Sequence, residues 1–358
     1  SAVSYKPDTD LDDGVTYYAC IKAQDLAGNE TQADNNKLAF KSAHWQAIAT
    51  PASFVARKGH SAVWTGDSTA NGSMIVFGGT DASGTYLATG AKYTPATDTW
   101  SAISTTGAPT ARAGHAAVWT GSKMIVWGGC AASSYICTSF LNDGFLYDPE
   151  ADTWSTISSS GAPTARANAQ VAWTGRYLLV WGGDAANGFA LATGGIYDTQ
   201  TNSWTAMSNT SAPTSRASAA SGWADGKFVV WGGVTHLDLN NDGTADAVTY
   251  LYNGGVYDLN ANSWTATSAT SAGSTDSRYK ATGVWTGTDL IVWAGVYGLN
   301  FTNISNGLSY NVSTDQWQRL APTGATDQRA DHTAVWTGSE MLVWGGFYKA
   351  LSATTTDY

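Results

Sequence analysis

Charge is scarce in this chain. Only 13% of its 358 residues are Asp, Glu, Lys or Arg, and the formal net charge is −10. An acidic chain, with a pI near 4.7, is a poor match for nucleic acid or an anionic membrane surface, so neither is expected as a partner. No apolar run reaches the roughly 18 residues of a membrane-spanning helix. No basic stretch leading into an apolar one opens the chain, so no signal peptide is read, and a secreted form would be a mature one. There are five His, three Cys and four Met. No zinc-type His/Cys spacing, phosphate loop or Gly-x-Ser-x-Gly elbow occurs. No window sustains a 3.6-residue apolar period, so no helix is predicted.

Tryptophan, in contrast, is abundant, and all 17 copies are phased. One set is Trp64, Trp119, Trp173, Trp223, Trp285 and Trp336. A second is Trp127, Trp181, Trp231, Trp293 and Trp344, with Phe77 in the missing first place. The third is Trp45, Trp100, Trp154, Trp204, Trp264 and Trp317. Spacings within the first set run from 50 to 62 residues. A period of this length indicates a propeller or a solenoid. Each copy reads alike: an Arg, a Trp seven residues later, an apolar run ending in a glycine pair, a variable loop, then Tyr-Asp and a final Trp. Four short β-rich runs separated by turn residues predict one four-stranded blade per copy.

The order Arg112, Trp119, Met124-Ile125-Val126-Trp127-Gly128-Gly129, Tyr147-Asp148, Trp154 resembles the Kelch repeat. The resemblance covers roughly residues 37–358 and implies an all-β, six-bladed propeller. The last copy ends before a fourth strand, and His44-Trp45-Gln46-Ala47-Ile48 matches that strand. The N-terminal strand is therefore expected to complete the last blade, leaving only protected sheet edges.

Residues 1–36 lie outside the repeat. Val15-Thr16-Tyr17, Tyr18-Ala19-Cys20-Ile21 and Ala27-Gly28-Asn29 resemble the end of a fibronectin type III or bacterial immunoglobulin-like domain. Such a sandwich needs about 100 residues. The gene product is expected to begin further upstream, or the strand pair to dock elsewhere.

Cys130 and Cys137 flank one loop. They form a disulfide in an oxidising compartment or stay as two thiols in a reducing one. Cys20 has no evident partner. The sharpest local motif is Asp238-Leu239-Asn240-Asn241-Asp242-Gly243-Thr244-Ala245-Asp246. Oxygen-bearing side chains at Asp238, Asn240, Asp242 and Asp246, the Thr244 carbonyl and a turn glycine suit structural Ca²⁺. The motif resembles the calcium loops of integrin-type propellers and dockerins. Position 12 is Thr249, so it is not a complete EF-hand. The alternative is a solvated acidic loop.

Arg57, Arg112, Arg166, Arg216, Arg278 and Arg329 share one repeat position. The resemblance places them near the central channel, where matching arginines of some Kelch propellers bind acidic peptides. Two readings stay open: ligand-binding guanidinium groups, or arginines that bond backbone carbonyls within each blade. His60, His115 and His332 follow three residues later and read as packing residues. His44 and His236 read as isolated surface residues.

The leading functional expectation is a non-catalytic binding or adhesion module of a modular bacterial protein, secreted or cell-surface. Its partners would be a glycan, a peptide or a cell-surface protein, contacted by loops 130–143 and 234–253. One alternative is a structural subunit that self-associates through residues 1–36. The other is a carbohydrate-active Kelch enzyme of mutarotase or oxidase type. No catalytic residue is nominated.

Overall fold

The computed structural model describes residues 21–22, 54–66, 72–131, 137, 139–243, 245–270, 273–298, 302–304, 306–320, 330–336, 338 and 341–347. Apart from one 3-10 turn, Gly273–Asp276, every described element is a strand.

Five four-stranded antiparallel sheets follow one another along the chain. The first is Ser61–Trp64, Met74–Phe77, Gly90–Thr94 and Thr99–Ala102. The second is Ala116–Trp119, Met124–Ala131, Ser139–Asp148 and Thr153–Thr156. The third is Gln170–Trp173, Tyr177–Trp181, Gly194–Asp198 and Ser203–Ala206. The fourth is Ala220–Ala224, Lys227–Trp231, Gly254–Asp258 and Ser263–Ala266. The fifth is Thr282–Trp285, Leu290–Trp293, Gly307–Asn311 and Gln316–Leu320. These are the predicted blades of a β-propeller.

Six such blades were expected, and five are complete. The remaining sheet has three described strands: Ala330–Trp336, Met341–Phe347 and Ile21–Lys22. The expected closing strand at 44–48 lies outside the described residues. The fibronectin-like reading of residues 1–36 finds no support. The two described residues of that stretch, Ile21 and Lys22, pair with Val343 and Leu342 in the propeller's last sheet. A free strand edge there takes a third strand by ordinary ladder bonding, with no sandwich required.

The innermost strands of all six sheets line one central channel of about 490 Å³. Between blades the aromatic wedges fill as the repeat predicts. Four second-set rings meet the third-set Trp of the following blade: Phe77 with Trp154, Trp127 with Trp204, Trp181 with Trp264 and Trp231 with Trp317, at centroid distances of 4.9–5.4 Å. Trp344 meets Trp100 at 5.5 Å, which joins the last sheet to the first blade. Offset and tilted ring pairs of this kind add to the large apolar area each ring buries.

The glycine pairs let the next blade come close. Gly183 donates its N–H to the Arg216 carbonyl of the following blade at 2.8 Å. A Cβ on Gly182 would sit 2.6 Å from that same carbonyl oxygen, and both glycines have positive φ. Only glycine meets both requirements without strain.

Candidate functional site

The repeat arginines are buried. Arg57, Arg112, Arg166, Arg216 and Arg278 are each 0–2% exposed. Arg329 lies outside the described residues. Arg166 shows the pattern. Its Nε donates to the Thr164 carbonyl at 2.9 Å, and its Nη1 to the carbonyls of Gly182 and Thr193 at 2.9 and 2.6 Å. Arg57, Arg216 and Arg278 make the equivalent carbonyl bonds. In the second blade the Asp143 carboxylate takes two of the donors of Arg112, at 2.8 and 3.1 Å. Burial lowers Arg166, Arg216 and Arg278 to about 10, so they stay charged at neutral pH. The planar fork of donors spans three acceptors at once.

Two residues beyond each arginine the chain turns through positive φ. The positions are Gly59, Gly114, Asn168, Ser218, Lys280 and Asp331, with φ from 52° to 63°. Their backbones bond around the channel mouth. Gly114 N–H donates to Gly59 O, Asn168 to Gly114, Ser218 to Asn168, Lys280 to Ser218 and Asp331 to Lys280, at 2.7–3.3 Å. Below this ring lie the histidines. His115 Nε2 shares a 2.7 Å hydrogen bond with Ser61 Oγ, His60 one of 3.0 Å with Thr333, and His332 one of 3.0 Å with Thr282. Each bond crosses from one blade to the preceding one. Burial and the Arg112 charge push His115 down to about 3; burial, with nearby positive charge, pushes His60 well below its usual range. Both are neutral packing groups at ordinary pH.

Above the ring the side chains stop repeating. Asn168 Nδ2 donates to Asp184 Oδ2 at 2.9 Å. Asp184 Oδ1 lies 3.9 Å from His236 Nδ1. Burial raises the Asp184 carboxyl, against the opposing effects of Asn168 and the His236 and Lys280 charges. Lys280 Nζ donates to Asp331 Oδ2 at 2.6 Å. Tyr250 lies between Tyr279 and Tyr297, with tilted rings and centroids 5.4 and 6.0 Å away. His236 is therefore not an isolated surface residue: it sits on the strand Val234–Leu237, against Asp184 of the third blade.

That strand and Ala247–Tyr250 form a hairpin that carries the acidic loop. Asp238 accepts from the N–H groups of Asp242 and Gly243, and Asp246 from Leu239 N–H, at 2.8–3.2 Å. Asn240 donates to Asp242 Oδ2 at 3.1 Å. Gly243 takes φ +84°, the sharp turn expected of it. Thr244 lies outside the described residues. Among the described residues no three His, Cys, Asp or Glu side chains converge as a metal-holding group. On the second blade Cys130 and Cys137 are joined by a disulfide, with Cα atoms 5.7 Å apart. Tyr86 Oη donates to Cys130 Sγ at 3.6 Å.

Sequence reasoning missed the mouth ring and the Asp184–His236 contact. The ring had a signal, since Gly59, Gly114 and Asn168 recur two residues after the arginines. The contact had none, because its two residues lie in inter-strand insertions of unrelated sequence.

A stretch of 94 residues is 33% identical to acyl-CoA-binding domain-containing protein 6 of Oryza sativa subsp. japonica. The match covers 26% of this chain and 14% of that protein. Residues 25–233, more than half of the chain, match the KLHDC2/KLHL20/DRC7 Kelch-repeats domain. With the blades, the glycine pairs and the phased arginines in place, the chain belongs to the Kelch-repeat family.

Proposed function

We propose that this chain is a non-catalytic interaction module of a secreted or cell-surface protein, and that it binds through the channel-mouth face. One contrast supports the reading. The buried arginines, glycine pairs and aromatic wedges below the mouth ring recur from blade to blade, whereas the side chains at and above the ring do not: Asn168, Asp184, His236, Lys280, Asp331 and the tyrosines. Repetition serves the fold; variation on a rigid frame is where specificity belongs. The disulfide Cys130–Cys137 suits an oxidising compartment. The loop 238–246 would hold Ca²⁺ through Asp238, Asn240, Asp242 and Asp246, with the ion ordering the hairpin tip. Millimolar extracellular calcium fills even a weak site.

The buried arginines make poor direct ligands. Their donors already serve carbonyls or Asp143, so an acidic peptide would have to displace those bonds. The test replaces residues 234–252 with the short third-blade loop 184–192. Proteins captured by the native chain from a secretome or membrane extract, identified by mass spectrometry, should be lost from the replaced chain while its unfolding temperature stays within a few degrees. Retention of every captured protein would contradict the reading.

A further inference from the structure

Exposed apolar side chains are concentrated on one side of the mouth. Among the described residues six large hydrophobic side chains are exposed: Val55, Leu237, Leu239, Val248, Tyr252 and Tyr297. Five of them belong to the 234–252 insertion or to the fifth-blade turn beside it. Scattered singly, such side chains mean little; gathered, they mark a contact surface.

The strand register shows which of them act together. His236 pairs with Val248 and Val234 with Tyr250, so these four side chains share one face of the hairpin. Val234 packs with Tyr279 and Val296, with Tyr250 against the same cluster. This face is therefore directed toward the fifth blade and the mouth. Tyr297 extends the tyrosine row at its exposed end. The result is a half-open aromatic and aliphatic strip: Val248 (38% exposed), Tyr250 and Tyr297 (46%).

Acidic groups border the strip. Asp184 lies on one side, Asp331 on the other, and Asp238, Asp242 and Asp246 at the hairpin tip. Among the described residues one ammonium, Lys280, stands beside them, bonded to Asp331. The described repeat arginines lie beneath, buried and directed at carbonyls or, for Arg112, also at Asp143. A partner touching this strip meets tyrosine faces and carboxylates. Both favour cations, the faces through the ring quadrupole and the carboxylates through charge-assisted hydrogen bonds. A bound Ca²⁺ would cancel two charges at the tip and leave Asp184 and Asp331 beside the tyrosines.

We propose that the Val248–Tyr250–Tyr297 strip docks an extended segment of a partner protein that combines arginine or lysine with apolar side chains. This rests on the mouth face being an interaction surface, and it reverses the acidic partner suggested by the phased arginines. The charge of the whole chain, −10, agrees in sign and steers such a segment toward it.

The experiment is fluorescence anisotropy of the full chain with three labelled probes: a dodecapeptide of alternating Arg and Val, its Glu–Val counterpart, and a neutral cello-oligosaccharide. The Arg–Val peptide should bind saturably and weaken several-fold between low and physiological salt. The Val248→Ser/Tyr297→Ser double variant should weaken it at least 5-fold, and Asp331→Asn about 3-fold, with circular dichroism and unfolding temperature unchanged. Equal or tighter binding of the Glu–Val peptide or the saccharide overturns the proposal. So does Arg–Val binding that the double variant leaves intact. Self-association of the native chain that the double variant abolishes would make a second copy the occupant, and also overturns it. If a captured partner depends on residues 234–252 but the Arg–Val peptide neither binds nor displaces it, the basic segment is refuted and the interaction face stands. If captured partners ignore residues 234–252, the face itself is refuted.

Discussion

Trp154 donates its indole N–H to the carbonyl of Ser104 at 2.9 Å, across the seam between the first and second blades. The Ser104 N–H is bound by the same neighbouring blade, donating to Asp152 Oδ1 at 2.8 Å. Tyr147 Oη donates to that same oxygen at 2.7 Å. The arrangement recurs at Ser158 with Trp204 and Asn202, at Ser208 with Trp264 and Asn262, and at Ser268 with Trp317 and Asp315. The aromatic wedge supplies apolar area, and this clamp fixes its register.

Removing the shared acceptor should be costly. Asp152→Ala leaves the Tyr147 hydroxyl and the Ser104 N–H without a partner, at about 1–3 kcal/mol. It also places an alanine at φ 52°. Asp152→Asn, the residue used in two other blades, should cost under about 1 kcal/mol. Urea unfolding of the two variants checks the order.

Arg166→Ala should destabilise by about 3 kcal/mol or more, because the carbonyls of Thr164, Gly182 and Thr193 lose donors inside the protein. Arg166→Lys should rescue little, since a single ammonium cannot span three acceptors. Recovery of near-native unfolding temperature by lysine would refute the carbonyl-staple role.

Five seams show a second-set ring against a third-set Trp, and Trp293 stands where the sixth would form. Its counterpart by repeat position is Trp45. If residues 44–48 supply the outer strand of the last sheet, Trp45→Ala costs about 3–5 kcal/mol. A chain lacking residues 1–50 should then unfold well below the native temperature, and below one lacking residues 1–36, which keeps Trp45 but loses the Ile21–Lys22 pairing. Equal stability of all three chains would exclude that closure.

The buried histidines set the acid limb of stability. His60 and His115 titrate lower in the folded chain than in the unfolded one, where histidine titrates near 6.5. The unfolded state therefore binds more protons below that value. The stability is fully present above about pH 6.5 and is lost as pH falls below it, for His115 until its folded value of about 3 is reached and for His60 in the same direction. Replacing both with Gln should flatten the slope of unfolding free energy against pH between 6 and 4. An unchanged slope would assign the acid loss to other groups.

Calcium should act locally. At 100-fold excess over its dissociation constant a ligand adds about 2.7 kcal/mol to the state it binds. Calorimetric titration should show one site, lost in Asp242→Ala, and chelation should speed proteolysis within 238–246 and lower the unfolding transition by no more than this linkage allows.

The repeat made the ring legible, because each wedge needs its aromatic and each close approach its glycine. The phased arginines were visible too, but their role was not. Sequence fixes a side chain's period, and only the blade geometry turns Arg166 inward to Gly182 and Thr193. The clamp acceptors Asp152, Asn202, Asn262 and Asp315 stand in plain view two residues before their third-set Trp, but the repeat does not show that each is shared across a seam. The mouth was the least legible part. Asp184 and His236 have no periodic relation, and the Ile21–Lys22 pairing depends on where a distant strand leaves an open edge.

The most direct measurement is hydrogen–deuterium exchange of the chain alone and with a captured partner. Protection at 234–252 and 295–298, with no change in the turns at 148–152, 198–202 and 258–262, is the predicted result. Protection confined to those turns, on the opposite face of the ring, would contradict the account.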